Sequence, residues 1–469
     1  MFSRRAQISI TIVFFAAIAV ILVSGLVFLA SSFLQLSVRS LNKLRAFSIA
    51  EAGIEYYRWH LAHAPQDFED GTGSAGPYIH NYYDKDGNLI GAFTLTIMPP
   101  PAGSTVVMIQ SAGTVLADSS IKKIIQVKMA IPSFAQYAWA LNDFVSFGTS
   151  AQVYGAIQSN AGIHFDGVAH NLVASALTTS TDPDTGLTQW AVYTDNSPAD
   201  PQPPTALPSR PDVFMAGRSI GVPAINFTQL TQNLSTIKAQ AQASGTYFAS
   251  STVSGYDLAL ATSGLYTIYK VTALTAAPNH CTNPGQTGWG TWSIATESLF
   301  ATGTIPANGD MFFEDNLWVR GTINNKRVTI AAGRFPDNPT TRASITVNNR
   351  VTYTNYNGSD TLALIAQNNL NIGLMSDDSL RIDGALVAMN GSIQRYSYPS
   401  TQCGITGSRT LLTTDGMLAT NIRSGFYYSS NDGYQARNYN YDGNLLYAPP
   451  PSFPLSTSQY SIISWDEVQ

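Results

Sequence analysis

The strongest hydrophobic pattern of the chain lies near its amino terminus. Residues 8–36 contain no charged side chain, and the short basic leader 1–6 precedes them. A helix needs about 20 apolar residues to cross the hydrocarbon of a bilayer, so this run is long enough to span. The apolar region of a secretory signal peptide covers only about 7–15 residues. The pattern therefore predicts a transmembrane helix over residues 8–36 that stays with the mature protein.

The helical pattern continues beyond the apolar run. Between Ser37 and His63, apolar residues recur mostly three or four positions apart, and the first proline is Pro65. One helix is therefore predicted over residues 7–64, and its part from 8 to 63 would be roughly 80 Å long at 1.5 Å per residue. Half of it would lie in lipid and half outside.

Short alternating patterns follow this helix. Strands are predicted at residues 78–83, 89–97, 105–114 and 122–129, and together they form a small antiparallel sheet within residues 65–130. The sheet would bury one face on the outer half of the helix, against Ile54, Tyr57 and Leu61. The acidic segment 84–88 lacks the glycine and glutamate spacing of a calcium loop and is interpreted as a hairpin turn.

The leader, the apolar run and the helix end together resemble a known family. The tetrapeptide Ala50-Glu51-Ala52-Gly53 is the most specific part. In these features the chain resembles the amino-terminal helix of type IV pilins, most closely PilX-type minor pilins. The resemblance implies a prepilin peptidase that cuts between Ala6 and Gln7, and other pilin subunits as partners in a filament.

Two positions depart from the usual pilin pattern. Ala6 replaces the glycine that usually precedes the cut, and Thr11 replaces the glutamate at the fifth mature position. In the family, that glutamate neutralises the amino terminus of a neighbouring subunit. Its absence is more like minor or tip subunits, which have no subunit above them. The alternative is a plain single-pass anchor that is neither cut nor assembled.

Residues 131–469 change to short strands with Asn, Gly and Asp corners. The segments 153–163, 362–372 and 380–393 resemble one another, with Asn160, Asn368 and Asn390 at the corners. Units that cannot bury a core alone stack on their neighbours. The predicted fold is therefore α+β, in which the pilin-like helix and sheet precede a large mainly-β domain. That domain is interpreted as an irregular right-handed parallel β-solenoid, and a β-sandwich is the alternative.

Three segments are set apart within the large domain. A proline-rich insertion is predicted at residues 182–212, and an amphipathic helix at 227–244 that packs on the solenoid. The tail 434–465 is rich in Tyr and Pro. Its aromatic residues either contact a surface glycan or protein ligand, or attach an extended tail to the side of the solenoid.

Composition indicates an exported protein. Charged residues make up 12% of the chain, against about 25% in an average protein. The net charge of −5, without a basic cluster away from the membrane flanks, does not indicate nucleic-acid binding. Cys281 and Cys403 would form a disulfide in an oxidising compartment or remain buried thiols in a reducing one, and both options remain open.

Candidate chemistry is sparse. No nucleophile elbow, zinc helix, phosphate loop or dinucleotide fingerprint occurs. His164, Asp166 and His170 form the best metal-like group, but solvated or hydrogen-bonded side chains are the favoured interpretation. Parallel solenoids also carry polysaccharide-cleaving enzymes with paired carboxylates, for which the candidates are Asp377, Asp378 and Asp383. The prediction is a non-enzymatic protein without cofactor or metal.

The combined prediction is a minor, tip-located pilin-like subunit. It would be anchored in the cell membrane by one span, with its carboxyl-terminal domain on the outer side, and would act in pilus assembly or surface adhesion. Its partners would be the membrane, other pilin subunits, the prepilin peptidase and a surface glycan or protein ligand. The alternatives are a K-type pseudopilin of a type II secretion system and a surface polysaccharide-processing enzyme on a membrane stem.

Overall fold

The computed structural model describes residues 4–101 and 104–468, and for residues 4–7, 9–11 and 228–233 it describes the backbone alone. The chain divides into two compact units. The first comprises Met1–Pro101, Val106–Ala130 and Ser458–Gln469, and the second comprises Ala102–Thr105 and Ile131–Thr457.

The helices and strands are numbered in chain order. The helices are α1 (Arg4–His63), α2 (Thr228–Ser244), α3 (Ser400–Cys403) and α4 (Asn444–Tyr447), with a short 3-10 turn at Ile405–Gly407. The strands up to the long helix α2 are β1 (Tyr78–Tyr83), β2 (Leu89–Met98), β3 (Val107–Val115), β4 (Asp118–Ala130), β5 (Trp139–Leu141), β6 (Val145–Phe147), β7 (Ala151–Tyr154), β8 (Ile157–Ser159), β9 (Ile163–Phe165), β10 (Val168–Ala169), β11 (Val173–Ser175), β12 (Thr179–Thr181), β13 (Thr188–Trp190), β14 (Val192–Tyr193) and β15 (Arg218–Ile220). The later strands are β16 (Thr246–Phe248), β17 (Gly255–Leu260), β18 (Leu265–Leu274), β19 (Ile294–Thr304), β20 (Asp310–Phe313), β21 (Leu317–Ile323), β22 (Arg327–Ala332), β23 (Ile345–Thr346), β24 (Val351–Tyr353), β25 (Thr361–Ala366), β26 (Leu370–Ile372), β27 (Ser379–Ala388), β28 (Ile393–Arg395), β29 (Ser408–Thr420), β30 (Tyr427–Ser429), β31 (Asp432–Tyr441) and β32 (Ser461–Val468).

Helix α1 confirms the prediction of one uninterrupted amino-terminal helix. Its 60 residues extend over about 90 Å. The large apolar side chains from Ile12 to Leu36 are exposed, whereas from Ala46 onward one face of the helix is buried. The two halves of the same helix therefore have different surroundings within this unit.

The sheet of the first unit is antiparallel, in the order β1-β2-β3-β4-β32. Strands β1 to β4 lie where the sequence pattern places them. The predicted extent of the large domain, residues 131–469, is wrong for β32: Ile462 pairs with Met129 and Trp465 with Val127, so β32 completes the first sheet. Local alternation marks Ser461–Val468 as a strand but does not identify a partner more than 300 positions away.

The core of the first unit lies between α1 and this sheet. The helix buries Ile49, Ile54, Tyr57 and Leu61 against apolar side chains of the sheet strands. The β1–β2 turn is tight, as predicted: the Asp84 carboxylate accepts the backbone N–H of Asp86 at 2.9 Å and that of Asn88 at 2.8 Å.

The second unit is a stack of mainly parallel strands, which confirms the predicted parallel domain over the antiparallel sandwich. Residues of equivalent register form columns along the stack. One inward column contains, rung by rung, Met311, Ile330, Leu364, Leu386, Leu418, Trp139, Ile157 and Val173. Stacked aliphatic side chains of this kind form the continuous core of a solenoid. Its right-handedness stays a prediction.

The rungs do not follow chain order. Strand β5, the first strand of this unit, pairs with β29 on one side and with β8 on the other. Asn421, Asn142 and Asn160 mark the junction, because each amide donates to the next along the stack: Asn160 to Asn142 at 2.8 Å, and Asn142 to Asn421 at 2.8 Å. The early residues of the unit therefore continue the stack beyond its late residues.

Several strands are buried on both faces. In β25, Leu362, Leu364 and Ala366 belong to the inner core, while Ala363 and Ile365 belong to a second cluster covered by α2. This explains why β25 is continuously apolar from Leu362 to Ala366 rather than alternating. The amphipathic helix predicted at 227–244 is present as α2 and packs Leu234, Ile237 and Ala241 on this outer face.

Two segments that the sequence pattern sets apart from the solenoid are instead part of the stack. Within 182–212, predicted as an insertion, strand β14 pairs in parallel with β9, and Tyr193 is buried. Within the tail 434–465, strand β31 is a full rung between β29 and β7 that buries Tyr434 and Tyr439. Proline and tyrosine content suggested loops here, but the parallel pairing of these strands determines their structure.

Candidate functional site

The pilin-like tetrapeptide lies where α1 makes its closest approach to the sheet. Ala50 and Gly53 are buried and Glu51 is exposed. A Cβ on Gly53 would lie 2.3 Å from Ser111 Oγ, and one on Gly113 of the facing strand would lie 2.0 Å from the carbonyl oxygen of Ala46. Small residues are therefore required on both sides of this contact, which accounts physically for the Ala and Gly of the motif.

The amino-terminal half of α1 presents apolar surface on all sides. By length and composition, the part of α1 within Ile12–His63 is able to cross a membrane, and its most apolar stretch is uncovered within this chain. A helix that is hydrophobic all round is stable when lipid or other helices surround it. Residues 1–3 of the predicted leader, and the side chains of Ala6, Gln7 and Thr11, lie outside what the structure describes, so the cut remains a prediction.

A basic group follows the apolar half. Arg39 and Lys43 of α1 line a cavity of about 420 Å³ together with Lys122 and Lys123 of β4. Lys123 is ion-paired with Glu467 of β32. These four cations lie on the side of the span that carries the folded part of the first unit. Arg39 and Lys43 follow the apolar run directly in the sequence, whereas Lys122 and Lys123 join them only through the packing of β4 on α1.

Asp383 lies apart from the other two carboxylates considered for glycoside chemistry. Asp377 accepts the Asn349 amide at 3.0 Å, and Asp378 accepts the backbone N–H of Thr410 at 3.1 Å. Asp378 precedes Asp383 by five residues of extended chain, about 16 Å at 3.3 Å per residue. Retaining or inverting pairs lie about 5–9.5 Å apart.

The carboxylate of Asp383 is held by hydrogen bonds within the protein. It is fully buried, its Oδ1 accepts Arg381 Nε at 2.8 Å, and its Oδ2 accepts the backbone N–H of Tyr353 and the Tyr356 hydroxyl. Asp415 is the next residue along this column, and Arg381 Nη2 contacts it at 3.1 Å. Burial, together with the charge of Asp383, raises the pKa of Asp415 to about 6.

His164, Asp166 and His170 do not converge on a metal. His164 Nε2 lies 3.1 Å from Asp166 and 3.3 Å from Asp195, whereas His170 bonds to Gln152 at 3.1 Å. Burial disfavours the charged imidazole, but the surrounding carboxylates outweigh it and raise the pKa of His164. Within residues 4–101 and 104–468, no group of three His, Cys, Asp or Glu side chains is arranged to hold a metal ion.

The second unit contains an acidic pair that no local sequence pattern indicates. Arg320 bridges Asp257, at 2.9 Å from Nε, and Glu297, at 3.1 Å from Nη2. Burial raises the pKa of both carboxyls. The two acids are 40 positions apart on β17 and β19, so only the pairing of those strands through β18 reveals their proximity.

Two other features concern stability. Cys281 and Cys403 form a disulfide with Cα atoms 4.6 Å apart, and they are buried in a small cluster with Tyr396 and Tyr398. Asp310 is buried at the start of β20, where its Oδ2 accepts the Ser452 hydroxyl at 2.8 Å, and burial raises its pKa to about 6.

No protein-family model matches the chain, and no curated protein matches it. Among solved structures, the chain is similar to the competence-associated pilin ComZ from Thermus thermophilus, with 12% sequence identity, a TM-score of 0.31, and coverage of 91% of this chain and 97% of that chain. We draw no conclusion about this chain from a likeness at that level.

Proposed function

We propose that this chain is a membrane-anchored minor subunit of a type IV pilus, located at the filament tip, that acts in pilus assembly or surface adhesion. The observation that carries the proposal is the construction of α1. One continuous helix has an apolar half that nothing in the first unit covers and a second half packed on an antiparallel sheet through Ala50 and Gly53. A stem of this kind suits transfer between a bilayer and a bundle of helices.

A lipid bilayer and a bundle of apolar helices are interchangeable surroundings for such a helix. Side chains such as Phe14, Leu22, Phe28 and Leu34 are more than 60% exposed in the isolated chain. Lipid tails and the apolar faces of neighbouring helices both remove that surface from water, so moving from one to the other costs little transfer free energy. Assembly would then depend on packing between helices.

The size of the second unit supports a tip position. It occupies residues 131–457 and has its own continuous core. A body of that size on every stem would crowd a filament built from closely packed helices. A subunit present once, at the end, avoids this problem, and Thr11 in place of glutamate fits the same position.

The test is the amino terminus of the mature protein. The full chain is expressed in a piliated bacterium with an active prepilin peptidase and, as a control, with a catalytically inactive one, and the terminal peptide is read by mass spectrometry. We expect Gln7 as the first residue only with the active enzyme, and the protein in sheared pilus fractions. An intact Met1 in both strains would leave a plain anchor and overturn the proposal.

Deletion of the gene distinguishes pilus from secretion. The proposal expects loss of surface pili or of adhesion, with secretion of folded proteins unchanged. Loss of secretion with normal piliation would instead identify a pseudopilin and refute the pilus assignment.

A further inference from the structure

One cavity of the second unit is an aromatic cleft with a cationic wall. Its volume is about 780 Å³, within the range of about 300–1,000 Å³ typical of small-ligand sites. We call it the Arg437 cleft. Its aromatic and cationic lining consists mainly of Phe147, Phe426, Tyr427, Tyr428, Arg423 and Arg437.

Among the described residues, one positive charge of the cleft has no ion-pair partner. Arg423 is ion-paired with Asp184, which also lines the cleft, with 2.8 Å between Nη1 and Oδ1. Arg437 is only 4% exposed, and its Nη1 donates to the Tyr434 carbonyl at 2.6 Å. Among the described residues, no carboxylate forms an ion pair with Arg437. A buried cation in this position favours an anionic ligand, because an opposite charge compensates its lost hydration.

Two uncharged polar groups of the wall lack hydrogen-bond partners within the described part of the chain. The indole N–H of Trp139 and the hydroxyl of Ser424 are buried in the cleft lining, and among the described residues neither has a hydrogen-bond partner. Each such group costs about 1–3 kcal/mol when it is left unsatisfied. Unpaired groups of this kind in a native wall require an explanation, and a bound ligand that rearranges the wall supplies one.

The rim offers flat rings and amides. Tyr427 and Tyr428 are 40% and 41% exposed, and the Arg437 guanidinium lies 4.8 Å from the centroid of the Tyr427 ring. The side chains of Gln286 and Gln394 lie beside them. A ring with one polar tip, together with amide donors and acceptors, suits a ligand that has an apolar face and many hydroxyl groups.

We propose that the Arg437 cleft binds an acidic saccharide, whose sugar ring stacks on Tyr427 and whose carboxylate pairs with Arg437. This deepens the proposed function, on which it rests, by naming the ligand class of an adhesive subunit. The lining has a single uncompensated cation, whereas nucleic-acid binding depends on several phosphate contacts. An acidic saccharide is therefore favoured over a nucleic acid.

The test is calorimetric titration of the full chain in detergent with trigalacturonate, alongside the matched neutral galactose trimer. We expect saturable binding of the acid and at least about tenfold weaker binding of the neutral trimer, the effect of one lost charge-assisted hydrogen-bond pair. Arg437→Gln should remove this preference by weakening only the acid. Tyr427→Ala should weaken both trimers, whereas Tyr154→Ala, which removes a 45% exposed tyrosine outside the cleft, should change neither.

Three outcomes would overturn the inference. The first is that the folded chain does not bind trigalacturonate, and the second is that Arg437→Gln keeps its preference for the acid. The third is that inorganic phosphate competes as strongly as free galacturonate, which would identify an anion site without sugar recognition. If Arg437→Gln does not fold, the comparison of Tyr427→Ala with Tyr154→Ala still tests whether the saccharide binds in this cleft, because Tyr427 lies at the exposed rim. Equal binding by these two variants would then overturn the inference. Binding is measured on the uncleaved chain, so its failure is distinct from a failure of leader processing.

Discussion

The close contact between α1 and the sheet makes a quantitative prediction about Gly113. A Cβ at this position would lie 2.0 Å from the Ala46 carbonyl oxygen and 2.6 Å from the Ala50 nitrogen. A carbon and an oxygen in contact normally lie about 3.3–3.6 Å apart. Both obstacles are backbone atoms of a helix, which cannot rotate away. Gly113→Ala must therefore push the helix off the sheet by about 1 Å or more.

The cost follows from the loss of packing. A radial gap of about 0.5–1 Å forfeits a quarter to a half of a contact's dispersion energy, and helix residues such as Ile49 and Leu61 are fully packed here. Overpacked cores lose about 1–3 kcal/mol, and we expect the upper end, about 3 kcal/mol. Gly53→Ala meets only side-chain atoms, Ser111 Oγ and the Phe93 ring, which can move, so we expect about 1–2 kcal/mol.

The assay is hydrogen exchange of the amides of residues 46–61 in the full chain in detergent. A loss of about 3 kcal/mol reduces protection roughly 100-fold, because 1.4 kcal/mol is a factor of ten. Gly25→Ala is the matched control, since nothing lies within 4 Å of a Cβ on that residue. Protection in Gly113→Ala within about threefold of the control, a difference below 1 kcal/mol, would refute the reasoning.

Three further predictions concern stability. The pKa of Asp310 is raised to about 6, so the native state holds a proton that the unfolded state releases near pH 4. This contribution to the free energy of unfolding is therefore present at low pH and lost as pH rises through about 6. In denaturant titrations between pH 4 and 7, the wild type should lose about 2–3 kcal/mol relative to Asp310→Asn. Equal pH dependence of the unfolding free energy in the two proteins would contradict this. Reduction of the disulfide between Cys281 and Cys403, which spans 122 positions, should lower unfolding free energy by about 2–5 kcal/mol, and equal denaturation midpoints with and without reductant would contradict it. Deletion of Ser461–Val468 should expose the edge of β4 and increase hydrogen exchange there, while exchange in β22 and β25 stays unchanged; no change at β4 would show that the last strand does not protect this edge.

The sequence predicts what depends on near neighbours. The long helix follows from spacing and the absence of proline up to Pro65, and the β1–β2 hairpin follows from alternation around a polar turn. The closeness of α1 to β3 is partly visible in Gly53, since glycine inside a helix needs a packing reason. Its counterpart Gly113 appears only when the helix and strand are placed together.

Features that depend on distant partners were not predictable. The Asp257 and Glu297 pair requires β17, β18 and β19 to align, and Arg437 joins Trp139 in one cleft only after the chain has returned on itself. Solenoid rungs share one local pattern, because each needs the same apolar column. The pattern therefore identifies the stack but not the order of its rungs.

The order of the rungs bears directly on the Arg437 cleft. Its walls combine Trp139 and Phe147, from the start of the second unit, with Tyr427 and Arg437 from near its end. These segments become neighbours because β5 pairs with β29 and β7 pairs with β31. The cleft therefore exists only once the stack has closed across this junction. A binding surface assembled this way requires both segments, so a subunit truncated before β29 presents no cleft even when its stem is intact.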